Sequence, residues 1–273
     1  RAVLALRGAP VALALPLLAA ATGHYAAPIR QNAARALLEH GTPAVDLLIG
    51  QLGDAPSHIR ARAARSLGAM ATHRRTASMT ASLARAVAPC LANLDHPSAQ
   101  VRTRCAEALS ALPTLSSNHS LRTHLIRALA DRQAPVRAAA VHALATLLDP
   151  RVAPALSPLL NDRSRLPREA TLHAIEVLKL PGFTRRVSDI LDESTHRSER
   201  CAAAGALAHQ TDSAGLRALV RGLAADDDRV AAACAQAIRP HLATPSVGPR
   251  TAATVARLLD DALASEHFEL RFN

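Results

Sequence analysis

Thirteen histidines, four cysteines and 22 acidic residues lie in a chain of 273, so the first question is whether any are spaced to act together. A metal site on a helix needs ligands on one face, such as two histidines four residues apart. No pair has that spacing. Cys90, Cys105, Cys201 and Cys234 stand far apart with no CxxC pair, which excludes a zinc ribbon or a thioredoxin-like motif and fits a reducing compartment. His142 and His173, with Glu176 one turn beyond, come nearest to a metal set, but two exposed imidazoles account for them better. The chain has no GxxxxGK[ST] loop, GxGxxG fingerprint or GxSxG elbow, so the common nucleotide and hydrolase sites are missing. Neither catalysis nor a bound cofactor or metal is expected.

Arginine is what remains to carry a function. Lys179 is the single lysine among 32 basic residues, and the chain has a net charge of +10. A guanidinium fork matches carboxylate and phosphate geometry, so clustered arginines suit an acidic peptide, an acidic helix or a phosphate backbone. Up to Arg137 there are 16 arginines against 6 acids, whereas the rest balances 15 arginines and the lysine against 16 acids. The whole excess therefore sits in the first half.

The elements that must position these arginines repeat. Segments beginning at Ile29, Ile59, Val101, Val136, Pro167, Glu199 and Val230 read IRQNAARAL, IRARAARSL, VRTRCAEAL, VRAAAVHAL, PREATLHAI, ERCAAAGAL and VAAACAQAI. The second position is Arg30, Arg60, Arg102, Arg137, Arg168 and Arg200, then Ala231. The fifth is small, the eighth is Ala or Ser, and the ninth is Leu or Ile. Successive second positions are 30, 42, 35, 31, 32 and 31 residues apart, which fits two short helices and two turns. An apolar segment of helical period precedes each, such as Val45, Leu48, Ile49 and Leu52. Between the two lies a turn Asp in six units (Asp54, Asp95, Asp131, Asp162, Asp192 and Asp226), with His24 in its place in the first. Such an Asp can cap the following helix or pair with a repeat arginine. An Asp–Arg ladder accounts for the position-two arginines, which are therefore left out of the candidate site.

Alternating helices, a turn Asp and an Arg ahead of a small-residue and Leu pattern resemble HEAT repeats, in the short form also found in phycobilisome lyases. The resemblance implies an all-α fold: a right-handed α-solenoid, a superhelix of about seven to eight helical hairpins. The units are 9–40, 43–71, 77–112, 119–148, 152–180, 183–210 and 213–242, with a partial unit 245–273, in one array over 1–273. The 42-residue spacing points to a loop or extra turn over 72–80. The composition of 62 Ala and 41 Leu agrees with packing by small side chains. The apolar stretch from Ala9 to Thr22 is shorter than the roughly 20 residues of a membrane span, contains Pro10 and Pro16, and reads as a packed helix. Apolar residues at both ends (Val3, Leu4 and Leu6; Phe268, Leu270 and Phe272) and an initial Arg suggest a piece of a longer protein. The expected setting is bacterial in type and, with its cysteines unpaired, cytoplasmic.

HEAT-like deoxyhypusine hydroxylases hold iron with His-Glu dipeptides, and this chain has none. HEAT-like alkylpurine DNA glycosylases surround the lesion with aromatics, but only Tyr25, Phe183, Phe268 and Phe272 occur here, without Trp. With the first, fifth, eighth and ninth positions buried, the fourth and seventh face the inner surface. They hold Asn32 and Arg35, Arg62 and Arg65, Arg104 and Glu107, then mainly small residues from Ala139 onward. The expected function is a non-catalytic scaffold that binds a protein partner, acidic in character, through Arg35, Arg62, Arg65 and Arg104, with Arg74 and Arg75 at the edge. The alternatives are nucleic-acid binding by the same basic repeats and a lyase-like or enzyme-accessory role.

Overall fold

In the computed structural model, residues 2–54, 56–73, 76–113, 119–210 and 212–242 are described. The partial unit 245–273, with its closing apolar residues, lies outside them. The chain divides into two compact units, Arg1–Asp149 and Pro150–Asn273. Both are stacks of helical hairpins, and no strand occurs among the described residues.

The first unit opens with a short helix α1 (Ala2–Ala5) and a 3-10 turn, Leu6–Gly8. Its hairpins are α2 (Val11–Ala21) with α3 (Ala27–Glu39), and α4 (Thr42–Asp54) with α5 (Ser57–Ala71). Then come α6 (Ala77–Ala84) and α7 (Val87–Ala92) with α8 (Ala99–Ala111), and α9 (His119–Ala128) with α10 (Ala134–Thr146). The second unit has α11 (Ala153–Leu156) with α12 (Arg165–Leu178), α13 (Thr184–Glu193) with α14 (Arg197–Leu207), and α15 (Ser213–Leu223) with α16 (Asp228–Leu242). The apolar N-terminal stretch is indeed a packed helix, burying Ala14, Leu15, Leu18 and Ala19.

The nine-residue pattern explains the packing of the second helices. Positions five, eight and nine are buried in all seven, from Ala33, Ala36 and Leu37 to Cys234, Ala237 and Ile238. Position six, which carries no regular signature, is also buried in six of them, as Ala34, Ala64, Ala106, Val141, Leu172 and Ala204. A second helix therefore buries more than one stripe, because it is flanked by its own first helix and by neighbouring second helices. Small side chains let these backbones approach closely. A Cβ placed on Gly68 of α5 would stand 3.2 Å from the Ala108 Cα of α8, tighter than ordinary van der Waals contact.

Two first helices depart from the simple hairpin. The long spacing in the third unit is not absorbed by a loop at 72–80 alone. Thr76 starts a helix there by accepting a hydrogen bond from the Met79 N–H, and a turn at Arg85 and Ala86 separates α6 from α7. In the fifth unit the expected short first helix is a 3-10 segment, one turn of α-helix (α11) and another 3-10 segment, Ser157–Asn161. Pro150, Pro154 and Pro158 recur every four residues. Proline has no N–H to give to the carbonyl four residues back, and its ring crowds that carbonyl, so a regular helix cannot persist.

Close packing makes Gly222 of α15 a sensitive position. A Cβ there would overlap the buried Cys234 Sγ of α16 and lie 3.5 Å from Leu191 Cδ2. Gly222→Ala is expected to destabilise the second unit by about 1–3 kcal/mol through overpacking. Adding Cys234→Ala should recover part of that loss, because the overlapping sulfur is then gone. Urea midpoints of the two single variants and the double variant measure the coupling, and purely additive losses would refute the steric account.

Candidate partner-binding surface

The position-two arginines are built into the turns. Arg102 Nη1 donates to the His96 and Pro97 carbonyls, both at 2.9 Å, and Arg30 does the same to His24 and Tyr25 at 3.0 and 2.6 Å. Arg137 and Arg168 each bond the carbonyl six residues earlier at 2.8 Å. Turn carbonyls just ahead of a helix have no helical donor, so an arginine one turn into the helix satisfies them. Between successive hairpins the ladder appears at Arg102, whose Nε and Nη2 donate to both Asp131 oxygens at 2.7 and 2.9 Å. Arg168 forms the corresponding two-point pair, but with Glu199 of α14, an acid at a position that is mostly apolar elsewhere. Arg60 instead bonds the Leu52 carbonyl and Asn93 Oδ1. These side chains serve the fold.

The turn acids divide between the two expected roles. Asp131 Oδ1 also accepts from the Gln133 N–H at 2.9 Å, and Asp162 from the Ser164 N–H at 2.8 Å. Asp95 pairs with Arg127, and Asp192 with Arg221 at 2.6 Å, tying neighbouring first helices together. Burial pushes the Asp131 carboxyl upward, but the bonds from Arg102 and Gln133 outweigh it and hold the group below the usual range.

The proposed arginine surface belongs wholly to the first unit, on α3, α5 and α8. Arg35 is exposed, Arg62 and Arg65 are half-buried, and Arg104 is ion-paired to Glu107 at 2.6 Å. Arg65 is crowded by charge of its own sign: burial first, then the field of Arg104, with Arg30 adding to it, lower its pKa against the counter-effect of Glu107. A guanidinium in that setting gains when an anion arrives. The Arg62 Nε is buried without a hydrogen-bond partner. Arg74 and Arg75 lie outside the described residues. Two recesses of the first unit, of about 530 and about 390 Å³, sit at the turns around Asp131 and Asn93.

In the second unit the corresponding fourth position is buried at Ala170, while His173 is exposed at the seventh. The seventh position of α14, Gly205, is covered by the Glu176 carboxylate, 2.8 Å from where a Cβ would stand, so this part is not an open small-residue trough. Among the described residues no group of three or more His, Cys, Asp or Glu is placed to hold a metal ion. Cys105 and Cys234 are packed at position five, and burial raises the Cys234 thiol to about 12, far from a nucleophile's range.

Sequence reasoning missed a set of polar clamps. Gln210, after α14, is buried and its Nε2 donates to the Leu180 carbonyl at 2.7 Å, one hairpin back. His241 Nε2 meets the Leu207 carbonyl at 3.0 Å, and Asn93 Nδ2 donates to Leu52 and Pro89 carbonyls at 3.1 and 2.9 Å. Thr22 and Ser66 hydroxyls bond each other at 2.6 Å. Only a mild signal existed: Thr22, Asn93, Gln210 and His241 are polar residues at or just past the end of a helix, and Ser66 stands at the small eighth position of its repeat.

Stacked hairpins whose second helices carry the repeated Arg and small-residue pattern define a helical repeat protein. The family model for HEAT repeats matches residues 14–89 and 87–176, more than half of the chain, and the chain belongs to that family. The first unit and the start of the second are thus covered by sequence as well as by structure. Among solved structures, the Escherichia coli protein YibA is 17% identical, with 96% of each chain covered and a TM-score of 0.63. Yeast importin-beta (Kap95p) is 13% identical over 92% of this chain and 38% of its own, with a TM-score of 0.64. An engineered protein is 20% identical over 72% of this chain and 96% of its own, with a TM-score of 0.57. At these identities the likeness concerns the fold. No curated protein sequence matches the chain. No helix among the described residues is long and apolar enough to cross a membrane.

Proposed function

We propose that the protein is a non-catalytic interaction module whose first unit binds an acidic segment of a protein partner. The observation that carries this reading is the set of arginines on α3, α5 and α8: Arg35 is exposed, Arg62 and Arg65 are half-buried, the Arg62 Nε has no hydrogen-bond partner, and the field of Arg104 acts on Arg65. Like charges held together by the fold cost stability, and an acidic ligand relieves that cost. Repeat solenoids offer extended surfaces for partners, which is consistent with a scaffold role. Four thiols without a disulfide suit a reducing, cytoplasmic setting.

Nucleic acid is the second reading, supported by the net charge of +10. The near absence of aromatic side chains argues against stacking bases, so any such binding would run through phosphates. Titration with a fluorescent glutamate-rich peptide and with duplex DNA at two salt concentrations separates the two. The peptide should bind more tightly at physiological salt, and Arg62→Ala/Arg65→Ala/Arg104→Ala should weaken it by about tenfold or more, corresponding to about 1.4 kcal/mol. A preference for DNA, lost steeply with salt and with the same variant, would favour the second reading. Binding of neither would remove both.

A further inference from the structure

The second unit contains a recess that none of the repeat signatures accounts for. It lies between the first helices α13 and α15, has a volume of about 530 Å³, and is lined by Arg185, Arg217, Arg221, Ser188, Asp189 and Asp212 among others. Its charges fall into two groups. Asp212 is committed to the fold: it accepts from the Gly215 N–H at 2.8 Å, capping α15, and from the Thr184 hydroxyl. Arg221 is paired with Asp192 at 2.6 Å, and Asp189 lies 3.9 Å from Arg186. Arg185 and Arg217 are exposed and form no ion pair or side-chain hydrogen bond among the described residues. Ser188 is also in the lining, but its Oγ is turned away from solvent and buried without a hydrogen-bond partner.

Two guanidinium groups left unpaired on neighbouring first helices suit a ligand rich in acceptor oxygens. The volume is that of a small-molecule site. No aromatic side chain is among the described residues that line it, so none of them stacks on a nucleobase. We infer that this recess binds a small, non-aromatic phosphate compound of the pyrophosphate or phosphate-ester class, with Arg185 and Arg217 as the two forks.

Calorimetric titration with inorganic pyrophosphate, at physiological salt so that diffuse attraction to the basic chain is screened, tests the assignment. Saturable binding is expected, weakened about tenfold or more by Arg185→Ala/Arg217→Ala. The variant Arg62→Ala/Arg65→Ala/Arg104→Ala should bind pyrophosphate as the unaltered protein does, which separates this site from the acidic-partner surface. The inference is overturned if pyrophosphate does not bind saturably, if the Arg185/Arg217 variant binds unchanged, or if citrate competes equally and so shows only general anion attraction.

Discussion

Glu199→Ala is expected to destabilise the second unit by about 3–5 kcal/mol, the range for removing one partner of a buried ion pair. Glu199 opens the repeat segment of α14, where other units bury Val101, Val136, Pro167 or Val230. Its carboxylate is almost fully buried, bonded at both oxygens by Arg168 and at 2.7 Å by the Ser194 hydroxyl. Taking it away leaves the Arg168 guanidinium, itself only 20% exposed, facing a cavity without its counter-charge. A paired replacement, Arg168→Met/Glu199→Leu, should recover most of the loss, because two apolar side chains of similar volume need no charge compensation. Urea unfolding followed by far-UV circular dichroism, with hydrogen exchange over α12 and α14, measures both. A Glu199→Ala variant within about 1 kcal/mol of the parent would contradict the argument.

The same pair sets a pH dependence. Burial pushes the Glu199 carboxyl upward, but the bonds from Arg168 and Ser194 outweigh it, and its folded pKa lies below the ordinary value. The stabilisation is therefore complete above the unfolded glutamate value of about 4.3 and is lost as pH falls through the lower folded value. Asp131 and Asp212 shift the same way, so stability should decline in acid, and less so in the Arg168→Met/Glu199→Leu variant.

Gln210→Ala is the second large effect, expected at about 2–4 kcal/mol from two backbone groups, the Leu180 carbonyl and the Phe183 N–H, left without partners. Beyond its bond to Leu180, the Gln210 Oε1 accepts from the Phe183 N–H at 3.2 Å. One amide thus holds the turn in which Gly182 takes φ +85°, a left-handed conformation that suits glycine after Pro181. Gln210→Glu makes the sharper comparison: at neutral pH it aims a carboxylate at the Leu180 carbonyl and should be at least as damaging. Protonation restores a donor there, so the Gln210→Glu loss should shrink in mild acid, whereas the Gln210→Ala loss should not. Thermal unfolding at the two pH values distinguishes them.

The hairpin order and the buried stripe could be read from the chain because the nine-residue segment recurs seven times, and each recurrence places the same side chains one helical turn apart. Ala33, Ala36 and Leu37 had to be buried by periodicity alone, and so did their counterparts up to Ile238. Position six escaped notice because its neighbours in the stack, not its own helix, bury it. The broken first helix over Pro150–Asn161 follows from its three prolines, although the repeat average conceals it.

The candidate site divides in the same way. Residue type and spacing by themselves put Arg35, Arg62, Arg65 and Arg104 at fourth and seventh positions of α3, α5 and α8, since that depends only on the helical period. Tertiary structure alone decided how much of each is free: Arg104 spends its charge on Glu107, Arg62 is half-buried, and Arg65 lies among other arginines. It alone also joined Glu199 to Arg168 and Gln210 to Leu180, about thirty residues apart, and opened the recess beside Ser188. The physical reason is range. Helical periodicity is a property of neighbours in the chain, whereas a polar side chain's partner is whatever the next hairpin brings within hydrogen-bonding distance.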